Sequence, residues 1–124
     1  MINNTNIFLG LFGGAVAIAL TTVVLWHILH VLLCKKYDEL LFKQPYFRVT
    51  ELAVYSSWPL SLFRSMSYIL LLGAPSLAKI KRFKGVTLDH SNDFFLVVTC
   101  RIFLSLVGLG VIFVLIMMIW SIWW

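Results

Sequence analysis

His27, His30 and Cys34 are the residues of this chain whose types and spacing come nearest to chemistry. On a helix, positions three and four apart share a side. A neutral imidazole ligates haem iron or a transition metal, and a thiolate adds a soft donor. Three donors fall short of the four that close a tetrahedral site. A bis-histidine haem would take its second histidine from another chain. The remaining histidine, His90, stands far along the sequence. The spacing therefore predicts interfacial or subunit-contact histidines, with no cofactor and no metal held by a single chain. A soft-metal site of His27, His30 and Cys34 is the one arrangement that stays open.

Asp89, His90, Ser91, Asn92 and Asp93 also gather polar groups. They stand directly before an apolar run from Phe94, where a capping role suits them. A side chain at Asn92 or Asp93 can accept from the first helical N–H groups and meet the positive end of the helix dipole. There is no GxSxG, HExxH, phosphate loop or dinucleotide fingerprint. The expectation is a protein that is not an enzyme.

Lys79, Lys81, Arg82 and Lys84 form a basic cluster. Near a bilayer such residues bind anionic lipid headgroups at about 1 kcal/mol each, and they also hold a segment on the cytoplasmic side. No nucleic-acid-reading module is present, so nucleic acid is not an expected partner.

The distribution of charge fixes the elements that must position these residues. All ten Lys and Arg lie between Lys35 and Arg101. Residues 1–34 and 102–124 contain no Lys, Arg, Asp or Glu. The chain is 61% hydrophobic and 12% charged, against about 25% charged in ordinary globular domains. A bilayer core of about 30 Å needs about 20 helical residues, and only a helix satisfies its own backbone there as one stretch. Span one is expected over Ile7 to Leu33, continuing as a helix through Lys35–Glu39 until Pro45 interrupts it. Span two is expected from Phe94 to the C-terminus, with Arg101 snorkelling to the headgroups and Trp120, Trp123 and Trp124 as an interfacial anchor. The segments are 1–34, 35–93 and 94–124. Met1–Asn6 lacks a basic n-region and the apolar run is long for a signal peptide, so retention is expected. Confinement of the basic residues puts the middle segment in the cytoplasm and both termini on the other side.

Within the middle segment, Leu62, Phe63, Met66, Ile69 and Leu70 fall on one helical face, and Ser61, Arg64, Ser65 and Tyr68 on the other. Ser57 is expected to cap this helix, Pro59 to sit in its first turn, and Gly73 and Pro75 to end it. The fold class is thus an all-α membrane protein: a two-transmembrane-helix hairpin with an interfacial amphipathic helix in the connecting segment. Gly10, Gly14, Ala17 and Thr21 put small residues on one face of span one, where a second helix can approach closely. That helix is span two, through Ser105, Gly108 and Gly110, or another chain. Cys34 and Cys100 stand at the inner ends of the spans. They read as small interfacial residues, with acylation as the sharper alternative.

The stretch Asp38-Glu39-Leu40-Leu41-Phe42, Cys100 and Arg101 before span two, and the Leu115–Trp120 end together resemble universal stress protein B, a family of small bacterial inner-membrane proteins. The resemblance implies a membrane stress-response role without a known reaction. The residues themselves favour a non-catalytic accessory subunit, because a hairpin has little interior for an active site but several packing faces. Its partners would be other membrane subunits, or itself, and anionic lipids. The alternatives are a free-standing stress-response protein and a cofactor-contributing subunit of a respiratory or electron-transfer complex. The expected location is a bacterial or organellar inner membrane.

Overall fold

A computed structural model describes residues 3–86 and 93–123. Five helices follow one another: α1 (Asn4–Leu41), α2 (Val49–Val54), α3 (Ser61–Gly73), α4 (Pro75–Lys81) and α5 (Phe94–Trp123). Helix accounts for 82% of the described residues, and no strand occurs among them. α1 and α5 are each long and apolar enough to cross a membrane.

The two long helices pack side by side. Gly14 faces Phe113, Ile18 faces Gly110, Trp26 packs on Phe103, and Lys36 and Tyr37 reach Asp93. As numbers rise along α1 they fall along α5, so the helices run antiparallel. α1 is one unbroken helix of 38 residues, and its last two turns carry the charges of Lys35–Glu39. It ends at Leu41, where the Phe42 N–H closes the final turn on the Asp38 carbonyl. Pro45 follows in the next turn, where a missing N–H costs nothing.

α3 lies across this pair. Ser65 meets Trp26 of α1, and two turns later Gly73 meets Cys100 and Leu104 of α5. Trp26 and Phe103 are themselves neighbours, with ring centroids 6.1 Å apart. So α3 advances about 12 Å from Ser65 to Gly73 while moving about one turn along the long helices, which is a crossing geometry. The crossing is close. A Cβ at Gly73 would stand 2.7 Å from the Leu104 Cδ1 and 3.4 Å from the Cys100 backbone carbonyl, so glycine lets α3 touch α5.

One expectation about α3 changes. Ser57 does not cap it: its hydroxyl donates to the Val54 carbonyl, and Pro59 falls in the turn before the helix. The entry is instead made by backbone, with the Ser61 N–H on the Ser57 carbonyl. Its two faces are both partly used. Ser61, Ser65 and Tyr68, from the polar side, are buried together with Leu71, Leu72 and Ile69, the last from the apolar side. Phe63, also from the apolar side, is 54% exposed. The polar side turns inward because its groups find partners on α1.

The buried core therefore sits at one end of the long helices. α1 contributes Leu29, Leu33, Cys34, Tyr37 and Leu41, and α5 contributes Val97, Cys100 and Phe103. Phe47 lies at its centre, 1% exposed, with ring contacts to Phe42, Tyr55, Tyr68 and Phe83. Beyond this end the apolar windows of α1 and α5 are almost wholly unburied.

Candidate functional site: the polar seam at the helix crossing

The seam is built on four side chains of α1. Trp26 donates its indole N–H to Ser65 Oγ at 3.2 Å. A buried indole must place its one donor, and Ser65 is fully buried and in turn donates to the Leu62 carbonyl. Asp38 accepts the Tyr68 hydroxyl at 2.9 Å and pairs with the Arg64 guanidinium at 3.3 Å. Arg64 also lies over the Phe42 ring, 4.5 Å from its centroid, while its buried Nε has no acceptor. Burial, and then the neighbouring Asp38 carboxylate, hold the Tyr68 phenol well above its ordinary pKa, so it stays a donor. Lastly, Tyr37 donates to Asp93 at 2.7 Å and Lys36 pairs with the same carboxylate. This contact ties the start of α5 to the end of α1.

The structure brings His30 and Cys34 together, with Nδ1 3.5 Å from Sγ. His27 lies apart, on the exposed side of α1, in a shallow hollow with Trp58 and Leu62. Among the described residues no three His, Cys, Asp or Glu side chains converge on a metal-sized point. Cys34 and Cys100 are both buried free thiols.

Of the basic cluster, Lys84 is exposed and Lys79 half-buried, and the Lys81 side chain lies outside the described part of the structure. Arg82 is drawn out of the cluster. It forms a two-pronged pair with Glu51 at 2.9 and 3.0 Å and stacks on Phe47. The fork of a guanidinium matches a carboxylate in this way. Arg82 first, and then the Arg48 backbone N–H, hold the Glu51 carboxyl below the ordinary carboxylate range.

Of the small residues on α1, Gly14 faces α5, with Phe113 3.6 Å from its Cβ direction. Gly10 has nothing within 4 Å, and Ala17 and Thr21 are exposed, the Thr21 hydroxyl bonding back to the Ala17 carbonyl. Gly110 faces Ile18, whereas Gly108 is open and Ser105 exposed. Asp89, His90, Ser91, Asn92 and Trp124 lie outside the described residues.

Sequence reading missed Asp38, Asp93, Tyr37, Tyr68 and Phe47 as partners. One signal was present. Arg64 is the only charge between Leu52 and Leu77, and a cation in so apolar a stretch demands an acid. Nothing in the spacing says which of the five acids answers.

Chemically, the seam consists of donors matched to acceptors. Its carboxylates Asp38 and Asp93 are engaged by Tyr68 and Arg64 and by Tyr37 and Lys36. Comparison with protein-family models, curated proteins and solved structures gives no match.

Two predictions follow from these pairs. Asp38→Asn leaves the Arg64 cation largely buried without its anion, which costs about 1–3 kcal/mol. Adding Arg64→Met should recover part of that loss in a detergent unfolding assay; an equal or larger loss in the double variant would show that the pair is not coupled. For Glu51, whose carboxyl pKa is depressed by folding, the pair contributes fully above the ordinary value of 4.5 and is lost as pH falls through the lower folded value. The unfolding midpoint of the parent should therefore fall more steeply below pH 4.5 than that of Glu51→Gln, by an amount that corresponds to up to about 1 kcal/mol for a partly exposed pair.

Proposed function

We propose that this protein is a non-catalytic accessory subunit that packs against, and stabilises, a larger membrane complex. In this reading α1 and α5 cross the bilayer as a hairpin and α3 lies along the inner interface. The lengths support it. At 1.5 Å per residue, α1 rises about 29 Å from Ile7 to Trp26 and α5 about 30 Å from Phe103 to Trp123. One hydrocarbon thickness of about 30 Å thus separates the far ends from the level at which α3 crosses. At that level the exposed Phe63 and the half-buried Leu62 and Met66 of α3 would meet lipid, while its polar side meets α1. All Lys and Arg fall at or beyond this level, so the charged end is cytoplasmic and both termini are on the opposite side. Lys79 and Lys84 then lie beside anionic headgroups. A bacterial or organellar inner membrane fits this orientation.

The observation that carries the accessory reading is the outward row of Gly10, Gly13, Ala17 and Thr21. Both glycines have open space where a Cβ would stand. In lipid, helices associate by close packing rather than by a hydrophobic force, and small residues permit it. A partner helix on this row would bury a face that the chain itself does not use. The seam supports the same reading, since its polar groups Ser65, Tyr68 and Arg64 are spent on holding α3 against α1.

A cytoplasm-specific reporter fused after Trp124 should be silent; activity there would overturn the orientation. For the partner, mild-detergent purification should yield stoichiometric membrane subunits with the parent chain. Gly10→Leu should lose them while leaving the unfolding midpoint of the isolated chain unchanged. Gly14→Leu presses on Phe113 and should lower that midpoint by an amount that corresponds to about 1–3 kcal/mol. Undiminished co-purification with Gly10→Leu would refute the packing face. A lone oligomer would favour a free-standing stress-response protein, and a haem Soret band a cofactor-contributing subunit.

A further inference from the structure

Between α1 and α5, on the opposite side from the small-residue row, runs an apolar cleft of about 660 Å³. Ala19, Val23 and Trp26 form one wall, and Val107 and Gly110 are part of the other. Met66 and Phe63 of α3 close one end. The cleft extends from Trp26 back to Ala15 on α1 and from Phe103 forward to Leu115 on α5, about 17 and 18 Å at 1.5 Å per residue.

We infer that this cleft holds one acyl chain of a phospholipid from the leaflet on which α3 lies. The inference rests on the reading of α1 and α5 as spans. Three observations identify the occupant. The length matches one leaflet, about half of the 30 Å hydrocarbon core. The walls offer no free polar group: the Thr22 hydroxyl donates to the Ile18 carbonyl, and the Trp26 N–H is engaged by Ser65. Water has nothing to bind there. The closed end lies at the level of α3, so a chain entering beneath Phe63 and Met66 leaves its headgroup at the interface and its terminal methyl near the bilayer middle. The cleft is open along its side, where Val23, Val111 and Leu115 are half exposed or more, and a flexible hydrocarbon lying in it gains dispersion contacts with three helices at once, more than a chain on a single helix face.

The test uses the full chain in nanodiscs of phosphatidylglycerol bearing a diazirine along one acyl chain. After photolysis, peptide mapping compares Ala19, which lines the cleft, with Leu20, which is 63% exposed and lines a smaller groove on another side of α1. Label should be several-fold enriched at Ala19 over Leu20. Native mass spectrometry after detergent exchange should show one phospholipid per chain. Ala19→Trp and, from the other wall, Val111→Trp should each reduce that adduct about tenfold, the change that 1.4 kcal/mol produces, whereas Leu20→Trp should keep it. Equal labelling at the two positions, or an adduct that survives both cleft-filling variants, would overturn the inference while leaving the spans intact. A co-purified isoprenoid or a cross-linked helix in the cleft would also overturn it. No label at either position would sink the membrane reading itself.

Discussion

Asp38 is the group on which the arrangement depends. It stands one turn before the end of α1 and accepts from both Tyr68 and Arg64. Those two residues lie on one side of α3, and their engagement turns that side toward α1. Ser65 fixes the same side to Trp26, about 18 Å further back along α1 by helical rise. A helix held at two separated points cannot roll, so the direction of Phe63 and Met66 follows from the polar contacts. Gly73 then sets how near α3 comes to α5.

The orientation satisfies polar groups first: unpaired, they cost several kcal/mol each in an apolar surrounding, and Ser65, Tyr68 and Arg64 all find partners on α1. The apolar side is divided, with Ile69 buried, Leu62, Met66 and Leu70 half-buried and Phe63 exposed. The aromatic cluster around Phe47 gathers residues from the charged middle segment into a compact core, with Arg82 stacked on the Phe47 ring. The chain thus has a compact core at one end and two long, largely unburied apolar helices at the other, joined by the seam.

Two helices cannot enclose space. Where α3 crosses, a third element closes the gap, and Leu29, Leu33 and Phe103 are buried. Away from it, the pair touches along one line, through Gly14–Phe113 and Ile18–Gly110. On either side of that line the surfaces diverge, which produces the cleft on one side and leaves the small-residue row open on another. The proposed partner helix and the proposed acyl chain occupy surfaces that this minimal architecture cannot cover by itself.

By itself the sequence determined the helical class, the two long apolar helices and the place of α3, because periodicity and the confinement of charge are local properties that survive without a partner. It also located the break after α1, since Pro45 and the turn around it act within a few residues. Tertiary structure decided the rest. The face of α3 could not be read from its pattern, because an apolar stripe says only that two sides differ, not which solvent each meets. Asp38 and Arg64 are 26 positions apart (64 less 38), and their pairing needed the crossing geometry that brings α3 over α1. Likewise Gly10 and Gly14 look equivalent in sequence, four residues apart on one face. Only the line of contact with α5 separates them, since the second helix reaches Gly14 and passes Gly10 by.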